Sequence, residues 1–173
     1  MKALEVSQKM YGEIHRSRAS LYQQLANLYD KLGDYRKAVD CHLKELNIDN
    51  AIHGELHEDS AITLYNIGVF SSKLGDNNKG LEYLHKALRI SRFFLGEKHE
   101  DTADACRQIG IISMELKNYQ KANLYYLKAR DIYRFLSEDP NDLGDFRVRL
   151  THVNNDLKEC QKRIDYQHEN REI

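Results

Sequence analysis

The chain has no tryptophan, one proline (Pro140) and three cysteines among 173 residues, and each scarcity removes a class of structure. Proline punctuates turns and breaks helix interiors, so a single proline at this length disfavours a turn-rich β-sandwich and suits a mostly helical chain. Cys41, Cys106 and Cys160 are odd in number, far apart and without a C-x-x-C pair. They predict neither a disulfide framework nor a zinc ribbon, and reduced thiols in the cytosol or a comparable space are expected. No window approaches the ~18 consecutive apolar residues of a membrane span. The N-terminal stretch MKALEVSQKMYGE carries acid and lacks the apolar core of a signal peptide, so a cytoplasmic location is expected. An excess of one charge is also missing. The 26 basic and 27 acidic residues are interspersed, for a net charge of -1, and offer no basic face to a phosphate backbone. What remains, 41% hydrophobic and 31% charged residues, is the ordinary composition of a soluble folded protein and argues against disorder of the whole chain.

The organising feature is a self-similarity of period 42. HGELHEDSA (53–61) returns as LGEKHEDTA (95–103), and a weaker copy, YGEIHRSRA (11–19), lies the same distance upstream. An independent landmark keeps the period: KLGDYRKA (31–38) recurs as KLGDNNKG (73–80) and ELKNYQKA (115–122). Within each unit, apolar residues fall at helical spacing: Leu21, Leu25, Leu28 and Leu32, then Leu64, Ile67, Phe70 and Leu74, then Ile109, Ile112 and Leu116. These first helices are expected to stop at Gly33-Asp34, Gly75-Asp76 and Lys117-Asn118, where glycine or asparagine takes the left-handed conformation. A second helix follows in each unit, carrying Ala38, Leu43 and Leu46, then Leu81, Leu84, Ala87 and Leu88, then Ala122, Tyr126 and Ala129. Ala26, Gly68 and Gly110 are small enough to bring paired helices close, each facing Ala38, Gly80 or Ala122.

Counting from Ala19, Ala61 and Ala103 as position one, the chain resembles the tetratricopeptide repeat family. The resemblance rests on a large residue at position four (Tyr22, Leu64, Cys106), an apolar one at seven (Leu25, Ile67, Ile109) and small ones at eight and twenty. The departures are Ser71 and Ser113 where the pattern has tyrosine, and Glu45 where alanine is usual at position twenty-seven. The 42-residue period and the G-x-x-H linker (Gly12/His15, Gly54/His57, Gly96/His99) are similar to the kinesin-light-chain-like subtype, also found in clustered-mitochondria proteins. The resemblance covers roughly residues 2–136. It implies an all-α fold, a right-handed α-solenoid of antiparallel helix pairs. The expected divisions are 1–16 (second helix of an incomplete repeat plus linker), 17–58, 59–100 and 101–143 (three repeats), 144–168 (C-terminal capping helix) and 169–173 (frayed tail).

The resemblance also implies a concave groove lined by the first helices. Carried over position by position, the peptide-binding residues would be Gln23, Gln24, Asn27 and Lys31, then Ile62, Tyr65, Asn66, Val69 and Lys73, then Arg107, Gln108, Ile111 and Met114. An apolar middle and flanking amides suit an extended or helical peptide. The lysine and asparagine clamp with which some tetratricopeptide domains grip a chaperone's C-terminal carboxylate is disfavoured, because Val69 and Asp104 stand where it needs asparagine and lysine.

His53 and His57 invite a metal reading, but H-x-E-x-H is neither H-E-x-x-H nor H-x-x-E-H, and Tyr11 and Leu95 stand where His53 would recur. They read as linker residues: Gly54 ends one helix, and Asp59 or Ser60, like Asp101 or Thr102, is expected to cap the next. No phosphate loop, no G-x-S-x-G and no Cys/His arrangement at motif spacing is present, so neither catalysis nor a cofactor or metal is expected.

At the start, KALEVSQKMY (2–11) matches the end of a second helix with no first helix before it. The expectation is a piece of a longer array, or docking on another molecule. Beyond Pro140, Phe146, Leu150, Val153, Leu157, Cys160 and Ile164 define one long amphipathic helix, a cap for the last repeat or a seam for self-association. The tail DYQHENREI is expected to fray. The chain thus reads as a non-enzymatic scaffold for a protein or peptide partner. The alternatives are a structural subunit built permanently into a large assembly and an RNA-associated repeat protein.

Overall fold

The computed structural model describes residues 14–142 and 144–170, so the incomplete repeat expected at residues 2–11, and the last three residues of the tail, lie outside the described residues. All regular structure among the described residues is helical: α1 (Arg16–Lys31), α2 (Tyr35–His53), α3 (Asp59–Lys73), α4 (Asn77–Phe94), α5 (Glu100–Glu115), α6 (Tyr119–Ser137) and α7 (Asp145–Glu169). The chain forms two compact units that divide after Ile90, within α4.

In the first unit α1 packs on α2, and α2 on α3. The turn after α1 shows why the pair folds back. Leu32 closes the helix, Gly33 takes φ +73°, and the Asp34 amide donates to the Tyr29 carbonyl at 2.9 Å while the Asp34 side chain caps α2 by accepting from the Lys37 amide at 3.2 Å. The turn after α3 repeats it with Gly75 at φ +87°, Asp76 to the Ser71 carbonyl at 3.0 Å, and Lys79 to Asp76 at 3.1 Å. A helix turned back in three residues against its predecessor runs antiparallel to it.

Among the described residues two clusters hold this unit. One joins Ala38, Val39, Ile67 and Phe70, flanked by Tyr29, Tyr35, Leu43 and Leu46; the other joins Ala61, Leu64, Ala87 and Ile90. Fully burying a side chain such as Ile67 contributes about 1.5–3 kcal/mol, so a few such positions dominate the unit's stability. Gly68 is the close-approach residue: a Cβ there would stand 3.0 Å from the Gly80 carbonyl oxygen and 2.7 Å from Leu84 Cγ. The expected apolar stripe of the first helices departs at four positions: Leu28, inside α1, is half exposed, and the other three lie at helix ends. Leu32, Leu74 and Leu116 follow the helical spacing but are exposed, because each is the residue after its helix ends and points away as the chain turns.

In the second unit α5 packs on α6, and α7 lies along α6 with lighter contact to α5. The third turn differs from expectation. Lys117, not Asn118, takes the left-handed conformation at φ +59°, and Asn118 has φ -90° and caps α6 by accepting from the Lys121 amide at 3.2 Å. Asn118 is needed as a capping acceptor, so the residue before it bears the left-handed strain. Gly110 lets Tyr126 of α6 lie over α5; a Cβ there would meet the ring at 2.6 Å. Val153 and Cys160 of α7 are fully buried, and the Cys160 thiol donates to the Tyr119 carbonyl at 3.2 Å. The helix continues through Asp165–Glu169, part of the stretch expected to fray, and Asn170 closes it.

Candidate functional site

The G-x-x-H linkers come out differently from the simplest reading. At two of the three linkers the histidine itself is the N-cap: His15 Nδ1 accepts from the Ser17 amide at 3.1 Å and His99 from Asp101 at 3.2 Å. At α3 the cap position is Glu58, and His57, one residue earlier, accepts from the Asp59 amide at 3.3 Å. The expectation that Asp59 or Ser60, and Asp101 or Thr102, would be the caps is therefore corrected. Thr102 instead donates its hydroxyl to the Gly96 carbonyl at 2.9 Å, tying the linker to the first turn of α5. His53 ends α2, and its ring stacks on that of His57 with centroids 4.3 Å apart. Among the described residues no three His, Cys, Asp or Glu side chains converge as a coordinated metal would require. Cys41, Cys106 and Cys160 are free and buried, and burial pushes the Cys106 thiol up to about 11.

In the first unit α1 and α3 present most of the residues assigned to a groove. Gln23, Gln24, Asn27 and Lys31 are exposed on α1. On α3, Ile62 and Lys73 are exposed, and Tyr65, Asn66 and Val69 are half-buried. Lys73 Nζ reaches Asp30 Oδ1 at 3.5 Å and lies 4.5 Å from the centre of the Tyr35 ring, so the two faces are neighbours. In the second unit Arg107, Gln108, Ile111 and Met114 are half-buried on α5, and the C-terminal helix engages this stretch. Arg107 Nε donates to Asp156 at 2.8 Å, and Asp104 accepts from Arg149 at 2.8 Å and from the Tyr133 hydroxyl.

The repeats are now visible both as a period of 42 residues and as helix pairs with one turn geometry. The sequence profile of the tetratricopeptide repeat matches residues 59–134, and a second profile of the same repeat matches 20–51, together more than half of the chain. The chain belongs to the tetratricopeptide repeat family. Its fold is similar to that of BtubC (BKLC) from P. vanneervenii, at 23% identity and a TM-score of 0.68, covering 88% of this chain and 63% of that one. This chain therefore spans less than two thirds of that structure. The kinesin-light-chain-type, nearly identical TPR-like repeats from Podosopora anserina share the fold at 17% identity and a TM-score of 0.65, over 88% of this chain and 74% of theirs. So does the first tetratricopeptide domain of Spaghetti (RPAP3), solved with the HSP90 peptide SRMEEVD, at 16% identity, a TM-score of 0.63, and 88% and 98% coverage. No curated protein matches the chain by sequence.

Beneath the α1 and α3 faces of this tetratricopeptide chain lie two buried acidic residues outside the assigned groove set, Glu45 and Asp49 of α2. Glu45 Oε2 meets His42 Nδ1 at 2.8 Å, and Glu45 Oε1 accepts from Thr63 at 3.3 Å. The signal was present in the sequence, since Glu45 occupies a position where the family places alanine and where the later repeats have Ala87 and Ala129.

Proposed function

We propose that the chain is a non-enzymatic interaction scaffold that holds a peptide or helix of a partner protein on the face formed by α1 and α3. The supporting observation is the composition of that face. Exposed amides and a lysine on α1 stand beside Ile62, Tyr65 and Val69 on α3, which offers hydrogen bonds to a backbone and apolar area to side chains. Membership in the repeat family supports the scaffold reading, as does the similarity in fold to a domain solved with a peptide bound. A carboxylate clamp is not part of this reading. Val69 and Asp104 replace the asparagine and lysine of a carboxylate clamp, and Asp104 is already engaged by Arg149.

The face is tested by placing a photo-crosslinking amino acid at Tyr65, identifying the captured protein, and measuring its affinity for the Tyr65→Ala chain. Loss of a half-buried aromatic anchor should weaken binding by about tenfold or more in a chain that stays folded at the assay temperature. Tyr65 also packs on the Ala61–Ile90 cluster, so the melting temperature should fall. Unchanged affinity would count against this face. Arg107→Glu is a poor probe, because it sets a carboxylate beside Asp156 and loosens α7 as well.

A further inference from the structure

A cavity of about 280 Å³ opens between α1, α2 and α3, lined among others by Arg16, Gln23, Glu45, Asp49, Asp59 and Ile62. Its charge is unbalanced, with three carboxylates against one guanidinium. Glu45 is held by His42 and Thr63. Arg16 lies 3.8 Å from Asp59 across an exposed rim, where such a pair contributes little. Asp49 is 9% exposed, and among the described residues no hydrogen bond or ion pair reaches its carboxylate. A carboxylate so buried is costly to keep ionised without a partner. The later repeats carry Ala87 and Ser91, then Ala129 and Tyr133, at the two α2 positions, so the acidic pair is peculiar to the first repeat.

We propose that this cavity is a subsite for a cationic side chain, the guanidinium or ammonium of an arginine or lysine on the partner held by the α1–α3 face. The inference deepens the scaffold reading and rests on it. Asp49 supplies the ion pair at the bottom and Gln23 a hydrogen bond at the side. Ile62, half exposed, covers the methylene stem. The cavity matches one side-chain end and lies just below the range of small-molecule pockets. The carboxylates do not converge as metal coordination requires, which favours an organic cation. Burial first, and then Glu45 and Asp59, push the Asp49 carboxyl above its usual range, against the smaller opposing influence of His53 and Arg16.

The test uses blocked tripeptides, acetyl-Gly-Arg-Gly-amide and its neutral citrulline isostere, titrated into the whole chain and followed by amide NMR at fixed ionic strength. The arginine peptide should produce saturable shifts centred on Ser20, Gln23, Asp49 and Ile62, and the citrulline peptide none. Asp49→Asn should weaken that binding by about tenfold or more, and Arg16→Gln should tighten it by removing the competing cation. Asp49→Asn should also fold and melt higher at neutral pH. Because the folded carboxyl binds its proton more tightly than the unfolded one, stability from Asp49 is present at low pH and lost as pH rises. The advantage of Asp49→Asn should therefore shrink as pH falls toward the ordinary aspartate value of 3.8. No saturation, equal response to both peptides, an undiminished response in Asp49→Asn, or saturation by calcium alone would each overturn the subsite. Tyr65→Ala abolishing partner capture while the arginine peptide fails would sink the subsite and leave the scaffold standing. The converse result would sink the partner-holding face and leave only the cavity's affinity for a guanidinium.

Discussion

Gly68 sits where a methyl group has almost no room, and its replacement by alanine sets two effects against each other. Alanine gains about 1 kcal/mol of helix propensity. Its methyl group, however, would press on the Gly80 carbonyl and the Leu84 amide at 3.0 and 3.1 Å, backbone groups fixed by their own helix. Overpacking of that kind costs about 1–3 kcal/mol. Gly68→Ala is therefore expected to lower the unfolding free energy by about 1 kcal/mol in urea titration; a more stable variant would show that α3 and α4 are not so closely held. The capping histidines work in the opposite sense, by an interaction gained. His99→Ala removes the acceptor for the Asp101 amide and should cost about 1 kcal/mol, and His99→Asn, which supplies another side-chain acceptor, should restore most of it. Equal melting temperatures for the two variants would remove the histidine from the cap.

Among the elements, the turns show how far local chemistry reads through to structure. Period, helix pairs and the glycine turns at Gly33 and Gly75 were legible because each is written in a few adjacent residues. The third turn was legible only in place. Both Lys117 and Asn118 fit a helix end, and the choice depended on which of them also had to accept from the Lys121 amide. The capping role of the histidines was hidden for a similar reason: aspartate, serine and threonine follow them and are stronger caps by type. The acidic cavity was half legible. Glu45 broke the family pattern, but the burial of Asp49 arises only when α1 and α3 close over α2, and an aspartate on a helix ordinarily faces water. The left-handed Lys117 yields a further prediction. A residue with a Cβ costs about 1–2 kcal/mol in that conformation, and glycine gives back part of this through its freer unfolded chain. Lys117→Gly is expected to raise stability by about 0.5–1 kcal/mol in the same titration. A loss would mean that the Lys117 side chain makes a contact worth more than the strain.

At the scale of the whole molecule, repeat proteins hold together by interactions between neighbours, so an element with few packed neighbours opens at lower cost than one held on both sides. The three thiols report on this, one in each of α2, α5 and α7. In the folded chain all three are buried, and burial pushes each above its ordinary range, so neither access nor thiolate is available at neutral pH. Alkylation must then wait for opening. Cys160 sits on α7, whose contacts among the described helices are to α6 and, more lightly, α5. Releasing α7 exposes Cys160 and breaks its bond to Tyr119, while Cys106 lies inside the α5–α6 pair. Pulsed iodoacetamide labelling followed by mass spectrometry should find Cys160 modified first, and Cys106 only when its unit unfolds. Raising pH adds a second observable with a definite sign. The unfolded Cys106 thiol ionises near 9 and the folded one at about 11, so between these values the unfolded chain binds fewer protons and is favoured. Stability should fall across that window, and Cys106→Ala should flatten the fall. Simultaneous labelling of Cys160 and Cys106 at all urea concentrations would show that α7 opens only with its whole unit.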